Sequence, residues 1–299
     1  MLEPNGNKNN NWAYAVGAAV LGMAGLAYAR RVEPGRLEVT HRRLALPRLD
    51  PEFHGYRLVH ISDIHMDGWM TRRRLQEIVE IANAQQPDFV AITGDFVTHS
   101  PHRYAAGLIQ ALRGLETKDG AAAVLGNHDH WSDPDIVRRV IHESGLADLS
   151  NRSLTLQREQ ACLHLAGVDA YTVGCDRLEQ VLQALPEQGA AILLAHEPDF
   201  ADIAAASGRF DLQLSGHSHG GQVVLPIIGA PYLPEHAEKY PDGLYYVRDM
   251  LLYTNRGLGM VHLKLRLNCR PELTVFTLEA GQASDEADGR PAAEDLRKE

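Results

Sequence analysis

Cysteine is scarce in this chain. There are three, Cys162, Cys175 and Cys269, an odd number with no C-x-x-C spacing. That count excludes a disulfide framework and a cysteine-rich zinc site, and the three read as packing residues. Positive charge is also short: acidic residues outnumber basic ones 39 to 29, giving a net charge of −10. No basic stretch interleaved with aromatics occurs, which argues against a protein that grips long nucleic acid through its phosphates. An anionic substrate must be received by local charge and not by the overall field. There is no phosphate-cradling P-loop and no internal repeat.

Long hydrophobic runs are nearly absent too. Residues 12–29 make one hydrophobic run of 18 positions without a charge, and more than half of them are Gly or Ala. That length is close to the ~17–25 residues of a membrane-spanning helix. Lys8 is the only basic residue before the run, whereas Arg30, Arg31, Arg36, Arg42 and Arg43 follow it. Residues 12–32 are therefore read as a transmembrane anchor or signal-like segment that holds the following domain at the membrane on the cytoplasmic side. Ala27-Tyr28-Ala29 resembles a small-residue cleavage site, which keeps an export signal and a periplasmic or other extracytoplasmic location as the alternative. A helix buried against the domain is the third reading.

What is present is ordinary globular material: 299 residues, 44% hydrophobic and 23% charged, enough for one large α/β domain or two small ones. Strands are predicted at 37–46, 56–60, 154–157, 162–167, 244–247, 251–254 and 273–278. Helical spacing marks 71–84, 103–115, 177–184 and 199–206. A further helix over 134–144 opens with Asp133 as N-cap and Pro134 at the first helical position. Strands alternating with helices, then strands in succession, predict two packed sheets with helices outside. The expected organisation is a polar N-terminus (1–11), the 12–32 segment, one domain over 33–279 and an acidic, disordered tail over 280–299. Residues 225–246, with four prolines and little periodicity, read as a loop beside the last histidine pair.

Five short segments carry the chemistry. Asp63-Ile64-His65, Gly94-Asp95, Gly126-Asn127-His128-Asp129, His196-Glu197 and Gly216-His217-Ser218-His219 each close an apolar run, at 56–61, 87–93, 121–125, 190–195 and 210–215. Such runs read as buried strands, and ligands of open α/β sheets collect beyond the carboxyl ends of the strands. Five strand ends would thus deliver Asp, His, Asp, Asn, His, His and His to one place. Hard oxygens and imidazole nitrogens in that number suit two divalent metals, which clamp the attacking and leaving oxygens of an in-line displacement. No Ser, Cys or His nucleophile is then required. Gly220 and Gly221 could make a tight turn or let a substrate approach. Arg256 could meet a substrate phosphate or a surface carboxylate.

These motifs, in this order and spread over about 57–278, resemble the calcineurin-like metallophosphoesterases. The resemblance implies an α/β four-layer sandwich: two packed mixed β-sheets flanked by helices. It also implies a first metal held by Asp63, His65 and His219, a second held by Asn127, His196 and His217, and Asp95 bridging both. His128 would stabilise the phosphoryl oxygens and protonate the leaving group, with Asp129 orienting it through the ring N–H. The runs His196-Glu197-Pro198-Asp199, 215–222, 255–259 and 268–273 look like a bacterial subgroup of membrane-associated phosphodiesterases and UDP-2,3-diacylglucosamine pyrophosphatases. The implied activity is hydrolysis of a phosphodiester or pyrophosphate, through a hydroxide activated by two metals (Mn, Fe or Zn), on a phosphorylated small molecule or a lipid-linked or nucleotide-sugar substrate. A non-catalytic metal-bound scaffold and a nuclease are the competing readings. The oligomeric state is not legible.

Overall fold

Strands covered on both faces must be apolar on both, which is why the runs in this sequence show little alternation. The computed structural model describes residues 11–281. The polar stretch 1–11 and the tail 280–299 lie outside the described residues, save Asn11, Ala280 and Gly281. In chain order the strands are β1 (Glu38–Leu46), β2 (Tyr56–Ile61), β3 (Phe89–Thr93), β4 (Ala121–Val124), β5 (Ala147–Asp148), β6 (Arg152–Arg158), β7 (Ala161–Gly167), β8 (Ala190–Leu194), β9 (Leu212–Ser215), β10 (Gly243–Val247), β11 (Met250–Thr254) and β12 (Glu272–Ala280). The α-helices are α1 (Asn11–Arg31), α2 (Arg72–Ala84), α3 (Pro101–Leu112), α4 (Asn127–Ser132), α5 (Pro134–Glu143), α6 (Leu178–Ala184) and α7 (Ala201–Ala206).

One sheet runs β1-β12-β2-β3-β4-β5 and the other β10-β11-β9-β8-β7-β6. Both are mixed. The centre of each is parallel, β2–β3–β4 in the first and β7–β8–β9 in the second, with antiparallel pairs at β12–β2, β6–β7 and β10–β11. Alternate side chains divide between three cores. Phe89 and Ala91 of β3 meet Ile192 and Leu194 of β8 between the sheets. Val90 and Ile92 pack outward on Leu75 of α2, Leu108 of α3 and Val137 of α5. Ala191 and Leu193 pack on the opposite outside, against Val181 of α6 and Ala204 of α7. The result is the expected helix–sheet–sheet–helix sandwich, in which each buried Leu, Ile, Val or Phe contributes on the order of 1.5–3 kcal/mol.

Local signals set several element ends. The Thr71 hydroxyl accepts from the Arg74 N–H to cap α2, and the Asp133 carboxylate accepts from the Ile136 N–H to cap α5. Two features depart from the expectation. β10 and β11 form a hairpin, but β12 leaves them for the other sheet and inserts between β1 and β2, pairing Glu272 with Glu38 and Thr274 with His60. The short helix α4 is also unforeseen, because its polar residues carry no apolar period.

The membrane-spanning expectation is corrected. Residues 12–29 do lie in a helix, but no helix among the described residues is long and apolar enough to cross a membrane. Alanine and glycine give the stretch length without the transfer free energy of Leu, Ile or Phe. The buried-helix reading holds only at its root, where Ala29 is buried and its carbonyl accepts from the Arg266 N–H at 2.9 Å. Trp12, Tyr14, Leu21, Met23 and Leu26 stand exposed.

Candidate metal centre

Every predicted ligand sits just past the carboxyl end of a parallel strand. Asp63 and His65 follow β2, Asp95 follows β3, Asn127 and His128 open α4 after β4, His196 follows β8, and His217 and His219 follow β9. None of the eight is more than 9% exposed. Five of them, Asp63, His65, Asp95, His217 and His219, have φ between 47° and 66°. Left-handed backbone costs an L-residue about 1–2 kcal/mol, and strain of this kind concentrates where a site needs it. Here each strand turns abruptly as it ends and aims its side chain into the crevice. Asp63 N–H donating to the Gly94 carbonyl (3.1 Å) and His65 N–H to the Asp95 carbonyl (2.9 Å) hold the turns.

Two glycines let the sheets close on each other. A Cβ on Gly94, which has φ of 86°, would lie 2.8 Å from His196 Nδ1. A Cβ on Gly216 would lie 2.2 Å from an Asp63 carboxylate oxygen and 1.8 Å from the Ser62 hydroxyl. Glycine precedes these ligands because backbone must come within contact distance of the opposite sheet.

The donor atoms of the predicted ligands fall into two groups, and His128 shares a third with His65 and Asp95. Asp63, His65 and His219 offer ligand atoms all within 4.8 Å of one another, and so do Asp95, His196 and His217. Asn127 Oδ1 lies 3.0 Å from His196 Nε2, which places it with the second group. Asp95 Oδ2 lies 3.3 Å from both His65 Nε2 and His196 Nε2, so it stands between them. The second group tests whether a cation fits. His196 Nδ1 donates to the Thr93 carbonyl (2.7 Å) and His217 Nε2 to the Glu235 carbonyl (2.9 Å). Those bonds turn the other nitrogens inward, 3.1 Å apart. His196 Nε2 also faces Asn127 Oδ1 at 3.0 Å and Asp95 Oδ2 at 3.3 Å, so a cation, proton or metal, belongs at that point, and the outer carbonyls leave inward the lone pairs that a metal requires. The residues fit a pair of divalent ions.

The electrostatics agree. Burial opposes ionisation of Asp63 and Asp95, yet the surrounding imidazoles hold both carboxyl groups below their ordinary range. Burial also opposes the charged form of His65, but Asp63 and Asp95 raise it to about 9, and Asp95 lifts His196 well above its usual value. His217, His219 and His128 are lowered, burial being the main cause. The crevice draws cations wherever the carboxylates reach.

Several assignments need correction. Asp129 does not orient His128. Its carboxylate accepts from the backbone N–H groups of Asp95 (2.9 Å), Phe96 (2.9 Å) and Gly126 (3.0 Å), bracing the loop that carries Asp95. His128 Nδ1 instead lies 3.3 Å from the Thr98 carbonyl, a partner with no signature in the sequence. Arg256 is no substrate group: it pairs with Glu272 and Glu38 at 3.2 Å and Asp242 at 3.7 Å. Gly220 makes room for Arg256 and Cys269, and Gly221 for Ala230, both with positive φ, so the tight-turn reading holds for them. The run 216–220 also satisfies the letters G-x-S-x-G, but Ser218 is buried and its hydroxyl accepts from the Gly220 N–H, so it is no exposed nucleophile. His130 is tied to Asp169 at 2.7 Å, and His102 is exposed.

A cavity of about 380 Å3 opens on Asp95, Asn127, His128 and His217. Its walls include Trp131, Val223, Tyr232 and Leu263, and the 225–246 loop supplies Pro231, Pro234 and Glu235. Trp131 escaped the sequence reading because it depends on α4, one turn after His128. Among the described residues no Lys or Arg lines this cavity.

The calcineurin-like phosphoesterase profile matches residues 56–221, the stretch that supplies all these donors. The chain belongs to the calcineurin-like phosphoesterase family. It is accordingly a hydrolase of phosphoric esters, and divalent metals are the family's ordinary cofactors. The uncharacterized metallophosphoesterase YkuE of Bacillus subtilis is 33% identical over 90% of this chain and 94% of its own length. The phosphodiesterase YaeI of Escherichia coli is 26% identical over 88% of this chain and 96% of its own length. A transmembrane protein with a metallophosphoesterase domain from Danio rerio is 30% identical over 87% of this chain and 61% of that protein.

Proposed function

We propose that this phosphoesterase cleaves phosphodiesters, with one divalent ion held by Asp63, His65 and His219, a second by Asn127, His196 and His217, and Asp95 shared. When bound, such ions supply Lewis-acid stabilisation of phosphoryl oxygens and an activated water. The observation that carries the reading is the convergence of seven donors from five strand ends, with inward lone pairs fixed by the Thr93 and Glu235 carbonyls.

The chain's own groups decide the rest. His128 is buried at the cavity wall beside Asp95 and is held by the Thr98 carbonyl, within reach of a leaving oxygen. The apolar walls exclude water and accept an ester group. A monoester brings about two negative charges and one organic arm at neutral pH, a diester one charge and two arms, and walls that are largely apolar, with no Lys or Arg among the described residues, suit the second arm better than the second charge. That favours diesters. The name of the YaeI relative supports the same choice. A lipid-linked ester arm would suit the Trp131, Val223, Tyr232 and Leu263 walls.

The test is metal depletion of the full chain, followed by Mn2+ and assay on bis(p-nitrophenyl) phosphate and p-nitrophenyl phosphate. Hydrolysis restored by Mn2+, with the diester favoured at least tenfold in kcat/KM (about 1.4 kcal/mol), is the expected result. Fewer than one ion bound per chain, or activity indifferent to chelation, overturns it.

A further inference from the structure

His128 and His262 line a second cavity as well as the apolar one. This neighbour, about 320 Å3, differs in carrying charged side chains: its walls include Asp67, Thr98, His99, Arg103 and Lys264. Two cations face it, and they are not equivalent. Lys264 is already neutralised, because its ammonium pairs with Asp67 and also donates to the Met260 carbonyl at 2.7 Å. Asp67 in turn accepts from the Trp69 and Met70 N–H groups, which fixes the pair in place. Arg103 stands in the first turn of α3 with its guanidinium 5.4 Å from the ring centre of Tyr104, and no carboxylate among the described residues pairs with it. The exposed imidazoles of His99 and His262 flank the same space, His99 6.2 Å from the His128 ring.

We infer that the substrate is an unsymmetrical phosphodiester, one arm apolar or aromatic and the other ending in a second anionic group, a carboxylate or phosphate, that Arg103 receives. This rests on the diesterase reading and extends it to substrate class. The reacting phosphorus would sit at the metal centre by His128, where the two cavities meet, and the arms would part to either side. Of the two cations at this cavity Arg103 is the one without a carboxylate partner among the described residues, and it sorts the two arms because an anionic group would be poorly solvated against the apolar walls.

The test compares two p-nitrophenyl diesters of equal chain length, butyl and 3-carboxypropyl, on the Mn2+-loaded full chain at low salt. The carboxylated ester is expected to show about tenfold higher kcat/KM, the size of one charge-assisted contact. Arg103→Ala should bring that ratio to about one and Arg103→Lys should keep part of it, while Arg73→Ala on the exposed face of α2 leaves it at its wild-type value. A wild-type ratio near one, or a ratio unmoved in Arg103→Ala, overturns the subsite. Calorimetric binding of the non-hydrolysable phenylphosphonate monoesters of the same two alcohols separates the two readings. Arg103-dependent preference in binding without turnover of either diester would sink the reaction and keep the subsite; turnover with no such preference would do the reverse.

Discussion

The two sheets contribute unlike halves to the metal centre. The first, through β2, β3 and β4, supplies every oxygen donor, Asp63, Asp95 and Asn127, together with His65 and His128. The second, through β8 and β9, supplies imidazoles alone: His196, His217 and His219. Neither half is a site. Both donor groups mix the sheets, Asp63 and His65 with His219 in one, Asp95 with His196 and His217 in the other. The junction is bonded directly as well, since the His217 N–H donates to the Asp63 carboxylate at 3.0 Å. The difference teaches that catalytic competence here is a property of sheet packing, and that the Phe89, Ala91, Ile192 and Leu194 core is what makes two partial ligand sets into one.

The most damaging way to break the comparison is to remove the one carboxylate between the groups. Asp95→Asn is expected to lower kcat on bis(p-nitrophenyl) phosphate by on the order of 10^3-fold, with bound metal falling by at least one ion per chain and the thermal midpoint lowered, because His65 and His196 lose the carboxylate that holds their charge and the fold loses a stabilising ion. Retained activity would mean that the two halves work independently. Next in size is the joint itself. In Gly216→Ala a Cβ would collide with Ser62 and Asp63, so a loss of about 3 kcal/mol in denaturant unfolding should accompany loss of metal binding; a variant of wild-type stability would show that the sheets can separate without cost.

A third experiment sharpens the contrast between a histidine that belongs to the centre and one that does not. His60 lies on β2 three residues before Asp63, fully buried, with Nε2 2.8 Å from the Thr93 hydroxyl. Burial lowers its pKa to about 4. The folded chain therefore keeps it neutral while the unfolded chain binds a proton below about 6.5. Stability from this group is complete above about 6.5 and is lost as pH falls through about 4, a total of about 3 kcal/mol. His60→Gln should flatten that part of the pH–stability curve relative to wild type, measured by chemical unfolding between pH 7 and 4, and leave metal content at the wild-type level. An unchanged slope would remove His60 as its source.

Most strands and the clustering of the candidate ligands were legible because a doubly buried strand must be apolar throughout and a metal site would need unusual side chains at its end. Asp133 likewise announced its helix, since capping is local chemistry. Asp129, Arg256 and Trp131 were misread or missed for the opposite reason. Whether a carboxylate braces backbone or turns an imidazole depends on which atoms come near, and Thr98 took the partner place assigned to Asp129. Arg256 found Glu38, more than two hundred residues earlier in the chain, only because β12 brings Glu272 beside it.

The residue pattern alone determined the elements, the donor set and the order in which strands deliver it, because burial and coordination chemistry act on side-chain type. Tertiary structure decided which sheet β12 joins, which nitrogen of each histidine faces inward, and that a charged cavity adjoins an apolar one at His128. Those outcomes turn on contacts between segments far apart in the chain, whose energies no local run of residues encodes.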